Sequence, residues 1–520
     1  MWRPKSLSAA SWACLALALF AAPLFAAELG TYFGIEVIDE QTGRGVPLVE
    51  LRTVNDIGYY TDNAGRVAFY EPELMDRDVF FFVRSHGYEL PKDGFGYAGV
   101  RLTTTPGKRE RIKLRRVNIA ERVYRITGEG LYRDTVLLGE KPPLPPRART
   151  GNVLGQDTVM AAPFAGKLYW FWGDTNLPNY PLGNFRTCGA TSPLPSADGT
   201  DPDVGIELEY FTDDKGMARS MCPDMGPGPV WVDGLFTLVE DKRERLFCHY
   251  RHMESLEKVL DHGLLEFVAE PEARFDRVAT FALKQSWQCP TGQTLRQTAD
   301  GSNYLLFGSA VPNVRVRADV ASVSDPAAYE AFTCLTAADA NDAQAQRVRR
   351  DAQGRLLWSW RRDAPPVGPV EEQRLVKAGV IRSDEMRFSP RDVESGKRVQ
   401  VHTSAVHWNA YRKQWVMIAE QVGGTSYMGE IWFATADAPT GPWTWARKVV
   451  THDRYTFYNP AYHEFFGRDG GRVIYFEGTY TRTFSGNDQP TPRYDYNQIM
   501  YRLDLADPRL AAPGPVSGKR

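Results

Sequence analysis

The sequence predicts an all-β protein in which a small N-terminal β-sandwich precedes a five-bladed β-propeller carrying a short helical insertion. Three observations carry that expectation. Apolar residues alternate with polar ones across residues 31–117, as in Phe33, Ile35 and Val37, with turns at Thr42-Gly43 and Gly65. Beyond residue 118 one pattern recurs five times: an apolar or aromatic strand, a turn with Gly or Asp, and a second strand ending in aromatics. Helical spacing is confined to the stretch between the third and fourth of these units.

At the N-terminus, Arg3 and Lys5 precede an apolar run from Ser11 to Phe25. This reads as an export signal over residues 1–26, cut near Ala26 or Ala27, which places the mature chain in a secreted or periplasmic setting. No other apolar run approaches the roughly 18 residues a membrane span needs, so no span is expected in the mature chain. Residues 28–117 form the expected sandwich and 118–510 the propeller, with the helical insertion over 325–400. Pro142 to Pro146 stiffen the connection into the ring.

The five units are centred on Gln156 to Thr175, Val230 to Tyr250, Trp287 to Phe307, Val401 to Ala436, and Tyr458 to Leu503. Between the third and fourth, Pro326 to Arg350 is Ala-rich with helical spacing, and Glu371 to Val380 reads as a second short helix. A propeller must pair its chain ends to remove exposed strand edges, and Arg125 to Leu138 beside Gln498 to Leu505 is the expected closure.

Charge is nearly balanced, 62 basic against 64 acidic residues, so bulk electrostatics favour no nucleic-acid partner. Five cysteines follow the signal, Cys188, Cys222, Cys248, Cys289 and Cys334, with no zinc-like spacing. They read as buried free thiols, although Cys188 with Cys222 is a possible loop staple. Phosphate loops, dinucleotide fingerprints and Gly-x-Ser-x-Gly are absent from the sequence. The histidine pairs His249/His252 and His402/His407 lack metal-ligand spacing on a helix, and the Asp198, Asp201 and Asp203 loop lacks the terminal glutamate of a calcium loop. No metal and no cofactor is expected.

Asp157 and Asp174 sit at strand ends of the first unit, where inner strands of a propeller converge on its channel. Two carboxyls there suit glycoside cleavage, which uses one protonated acid and one carboxylate. The same residues, each followed by Thr, also suit turn caps, and both readings stay open. Glu430 and Glu477, next to apolar and aromatic neighbours, are the expected proton donors. Asp233 before Gly234, the ring faces of Trp172, Trp231 and Trp408, and His463 are the expected substrate-binding groups. His86 reads as a turn residue.

Two resemblances add to this. The run from Thr42-Gly43 through Thr61-Asp62-Asn63-Ala64-Gly65-Arg66-Val67 to Ser85-His86-Gly87-Tyr88 resembles the carboxypeptidase regulatory-like, or transthyretin-like, sandwich family, which implies a module without catalytic residues. Gln156-Asp157-Thr158-Val159 followed by Trp170-Phe171-Trp172-Gly173-Asp174-Thr175 resembles the opening blade of the domain of unknown function 4185 family, which contains bacterial endo-D-arabinanases. Ala434 to Trp443 is similar to a late-blade signature shared with glycoside hydrolase family 43 propellers. The blade resemblances imply a glycosidase with aspartates in the first blade; with the export signal, the expectation is an exported carbohydrate-active protein, a glycoside hydrolase that cleaves a polysaccharide or oligosaccharide with paired carboxylates in the propeller channel. The alternative is a glycan-binding or scaffold propeller without catalysis.

Overall fold

The computed structural model describes residues 30–196, 199–269, 271–336, 347–425 and 427–511. The export signal expected over residues 1–26 and Asp198 lie outside these.

Two four-stranded sheets make the sandwich. One orders Arg66–Phe69, Phe33–Asp39, Arg109–Arg116 and Tyr88–Glu89; the other orders Gly58–Tyr60, Glu50–Thr53, Asp78–Arg84 and Gly99–Thr103. Period-two alternation sends Phe33, Ile35, Val37, Leu51, Phe81 and Ile112 into one buried layer between them.

Five further sheets are the blades. Blade one carries Val159–Phe164, Lys167–Trp172, Cys188–Pro193 and Glu209–Tyr210, and blade two runs from Val230–Glu240 to Arg274–Phe281. Blade three runs from Leu295–Ala299 to Ser359–Arg361, and blade four holds Val401–Asn409, Gln414–Gln421, Ile431–Ala436 and Trp445–Val450, edged by a parallel Arg391–Asp392. Blade five takes Thr456–Tyr462, Val473–Thr481 and Asn497–Asp504, and its fourth strand is Glu121–Arg125 from the start of the ring. The five repeated units each became one blade.

Chain-end pairing closes the ring in the register Arg125 opposite Ile499 and Glu121 opposite Arg502. The closing strand precedes the expected stretch: after Arg125 the chain leaves the sheet, and Arg133–Leu137 is a short helix. The helical insertion is also smaller than expected. Helices occupy Val320–Ser324 and Pro369–Lys377, whereas Glu330–Thr333, within the Ala-rich stretch, is a strand paired with Ser359–Arg361. Tertiary pairing overrode local helix preference there. Residues 337–346 of that stretch lie outside the described residues.

The sandwich and the ring share a buried seam. Arg122, on the closing strand, donates to the carbonyls of Pro47, Leu48 and His86 and to Ser85 Oγ, so a guanidinium from the propeller satisfies sandwich backbone. His86, expected as a simple turn residue, shares a hydrogen bond with Tyr480 OH at 2.9 Å and packs against His452 and Tyr455. Burial holds its imidazole well below the usual range, hence neutral. The five cysteines among the described residues are buried and free, so Cys188 and Cys222 form no staple.

Candidate functional site

A cavity of about 420 Å³ opens at one end of the channel, and every blade contributes to its wall. Blade one supplies Asp157 and Asp174; blade two, Trp231, Asp233 and Arg251; the loop before blade three, Gly292 and Gln293. Blade four gives His402 and Thr403, and blade five gives Tyr458 and Asn459.

Three inner strands are bent where they meet this cavity, and each bend is a β-bulge. Gly234 and Leu235 oppose Cys248 alone, since Asp233 pairs with His249 and Phe236 with Phe247. His402 and Thr403 together oppose Glu420, and Asn459 and Pro460 together oppose Gly478. An extra residue on one strand re-aims side chains that strict alternation would bury between blades. Gly234 supplies the left-handed conformation, at φ 55°, and a Cβ there would crowd Phe307 and His249. In blade one the same job falls to Thr158, at φ 46°.

Asp157 is held on both oxygens. Its Oδ1 accepts from the Asp174 amide at 3.0 Å, and its Oδ2 accepts from Tyr458 OH at 2.7 Å. Gly173 permits this approach, because a Cβ on it would stand 2.6 Å from Asp157 Oδ1. Asp174 Oδ1 accepts from Trp231 Nε1 at 2.8 Å, while its Oδ2 has no hydrogen-bond donor among the described residues. A carboxyl carbon stands within about 4 Å of its own amide nitrogen, so the two carboxyl carbons lie within roughly 8 Å of one another.

Burial, then the charge of Asp174, pushes Asp157 up to about 6, against the opposing hydrogen bonds of Tyr458 and Tyr496. Asp174 is raised too, by burial, with the Trp231 hydrogen bond opposing. The Asp174 charge thus favours a proton on Asp157, and between the two ionisations the pair holds a single proton. Asp233 is raised by burial, and the Arg251 charge and the Gly292 N–H donated to its Oδ1 at 3.0 Å oppose the shift.

Behind the wall lies Glu420, which has no exposed surface. Its Oε2 accepts from Thr403 Oγ1 at 2.5 Å and from the Asn459 amide at 3.3 Å, and its Oε1 has no partner. Burial pushes it up to about 8, so it is neutral at pH 7. Asn459 in turn donates to Thr158 Oγ1 at 2.8 Å, which connects Glu420 to the turn beneath Asp157.

The cavity thus gathers Asp157, Asp174, Asp233 and Trp231 from the sequence-based set. Glu430, Glu477, Trp172, Trp408 and His463 are not on its wall. Glu430 is buried under its own hairpin, where Oε1 accepts from the Thr425 amide. Glu477 faces between blades and pairs with His463 Nε2 at 2.6 Å, and that histidine is packed by Trp170, Phe465 and Phe466. Trp172 is sealed between blades beside Trp170 and Tyr210. Trp408 lies six residues along its strand from His402, about 20 Å away at the rise of a strand, and packs on Trp415 at the far end of the blade.

Tyr458, Asn459, Thr403, Arg251 and Glu420 were missed as site residues. Two signals were present, Asn459-Pro460 within a strand, a mark of a bulge, and Glu420 at the end of an apolar run. Among the described residues no group of three or more His, Cys, Asp or Glu side chains is placed to hold a metal.

No protein-family model matches the chain, and no curated protein does. Among solved structures, the chain is similar to a putative hydrolase from Bacteroides ovatus at 12% identity and TM-score 0.41, over 68% of this chain and 86% of that one. It is similar to the GH43_1 enzyme from Xanthomonas citri complexed with xylose at 12% identity and TM-score 0.33, over 72% and 93%. A third likeness is to the endo-arabinase from Bacteroides thetaiotaomicron, at 10% identity and TM-score 0.31, over 68% and 95%. At these scores the description of fold and site rests on this chain's own sheets and side chains.

Proposed function

We propose that this chain is an exported glycoside hydrolase that cleaves a polysaccharide or oligosaccharide with the carboxyl pair Asp157 and Asp174. The observation that carries the reading is the convergence of two coupled carboxyls, one pushed up to about 6, in a cavity to which all five blades contribute. A pair holding one proton supplies both halves of glycoside cleavage: the protonated member gives its proton to the leaving oxygen, and the ionised member attacks the anomeric carbon or activates a water. A separation within roughly 8 Å accommodates either course. Trp231 and Tyr458 offer ring faces to the C–H face of a sugar, and Asp233 with Arg251 offers an acceptor and donors for its hydroxyls.

Buried Glu420 is assigned a positioning role. It holds Thr403 and Asn459, and through Asn459 the Asp157 turn, in one arrangement. Export follows from the charged and apolar N-terminal segment.

A second reading, glycan binding without cleavage, draws on the two donors already satisfying Asp157. Reducing-end release from arabinan, xylan and galactan, measured for the wild type, Asp157→Asn and Asp174→Asn, separates the two. The hydrolase reading expects release by the wild type and a loss of at least about a hundredfold in each variant, the weight of a general acid or base. Binding by the wild type with no release from any polymer would establish the second.

A further inference from the structure

A second cavity, of about 310 Å³, lies in the seam between sandwich and propeller, and both domains build it. The sandwich contributes Glu50, Arg52, Tyr60 and Arg84, and the propeller contributes Arg454, Tyr455 and the loop through Asn487 and Gln489. Glu50 is already committed, since its Oε1 accepts from Arg52 and from Tyr60 OH. Arg84 and Arg454 are different: neither guanidinium has a hydrogen bond or ion pair among the described residues. One exposed carboxylate, Asp453, stands on the same wall. The wall therefore carries three arginines against two carboxylates, with two of the arginines uncommitted.

The floor is rigid and aromatic. Tyr455 stacks on Tyr480 with centroids 4.1 Å apart, and the Tyr455 hydroxyl is fixed between Asp495 and the Thr491 amide. Position matters as much as chemistry. The loop over residues 482–496 carries Phe484 on the wall of the central cavity, and Asn487, Gln489 and Thr491 on the wall of the seam cavity. The two cavities therefore share one loop as a wall.

We propose that the seam cavity is a distal saccharide subsite, and that it takes a carboxylate-bearing sugar of the polymer whose backbone enters the central cavity. It rests on the saccharide reading of the central cavity for the identity of that polymer. Arg84 and Arg454, one from each domain, bracket the carboxylate, since a guanidinium matches a carboxylate with two parallel N–H donors. Half-buried Tyr60 and the Asn487 and Gln489 side chains receive the ring and its hydroxyls. The chain carries a net charge of −2, so any affinity for an acidic polymer comes from a local site and not from the protein's overall field.

Native affinity electrophoresis of the full chain tests this, in gels containing polygalacturonate, neutral arabinan or heparin. The wild type and Asp157→Asn are expected to be retarded by polygalacturonate. The double variant Arg84→Gln/Arg454→Gln is expected to lose at least about tenfold in affinity, with an unchanged thermal midpoint because neither side chain makes a bond to lose. Equal retardation of the double variant and the wild type overturns the proposal. So does a wild type retarded only by heparin, or by no acidic polymer. Retardation with no reducing-end release from any polymer would leave the subsite standing while the hydrolase reading fell, so the two failures are distinct.

Discussion

Replacing Glu420 with Gln should make the protein resist alkali better than the wild type does. In the unfolded chain this carboxyl ionises near its ordinary value of 4.5, and in the fold burial pushes it up to about 8. Between those two values the unfolded state has lost its proton and the folded state has kept it, so stability falls as pH rises. Below about 4.5 the proton is on in both states and the stabilisation is fully present; above about 8 it is gone. At about 1.4 kcal/mol per pH unit, the interval amounts to roughly 5 kcal/mol. Gln keeps an acceptor for Thr403 and Asn459 and never ionises, but it places an amide N–H where Oε1 has no partner, at a cost of about 1–3 kcal/mol. The variant should therefore melt slightly below the wild type at pH 4.5 and above it at pH 9. For a chain this size 1 kcal/mol moves the melting temperature by about 1 °C, so the difference between the two curves should swing by about 5 °C across that range. Melting curves by differential scanning fluorimetry at half-unit pH steps check this. Curves that stay parallel from pH 4.5 to 9 would refute the assignment of a buried, neutral Glu420. Glu372, pushed up to about 7 by burial, adds a slope of the same sign to both proteins and cancels in the comparison.

Tyr458→Phe removes a hydroxyl that holds Asp157 down; the alkaline limb of a kcat/KM profile should then move up by about one pH unit, the weight of one hydrogen bond to a charged group, and an unmoved or lowered limb counts against a catalytic proton on the pair. Gly173→Ala sets a Cβ against Asp157 Oδ1; hydrolysis should drop by about tenfold or more through misplacement of that carboxyl while polymer retardation in native gels persists, and wild-type turnover would show that Asp157 tolerates displacement. Arg122→Met takes a buried donor from four sandwich acceptors; a loss of about 3 kcal/mol, read as a fall of roughly 3 °C in melting temperature, is expected, and a midpoint unchanged within 1 °C would remove the seam from the account of stability.

The blades were legible because period-two alternation and turn residues survive in every unit, and because a closed ring is the only way to pair the leading strand with the last. The aspartates were legible for a local reason: Asp157 and Asp174 sit beside Thr at strand ends, and Asp233 sits before Gly234 at a bulge inside its strand, so their positions are marked in the sequence. The glutamates were not. Glu420, Glu430 and Glu477 all occupy strand ends or strand interiors with similar apolar neighbours, and alternation alone gives the face of a residue without giving its height along the channel. Glu430 turned under its own hairpin and Glu477 found His463. Only Glu420 lay opposite a bulge. Trp231 reached the cavity wall whereas Trp172 and Trp408 did not, since a ring packed within or between blades and a ring that faces the channel share one alternation pattern.

The bulges are also what turns a ring of strands into a site. Regular alternation would send the side chains of each inner strand by turns to the two faces of its blade, both packed against neighbouring blades. One extra residue at Gly234-Leu235, at His402-Thr403 and at Asn459-Pro460 breaks that rule once in each of three blades. Asp233, His402, Thr403, Asn459 and Pro460, at or beside these breaks, stand on the cavity wall. Glu420 lies opposite one such pair, and its two hydrogen-bond donors come from bulge residues of two different blades, Thr403 and Asn459. A neutral acid at that point is therefore a cross-blade tie placed where the ladders are interrupted. Its burial penalty is the energetic cost of fixing two irregular strands against each other beneath Asp157.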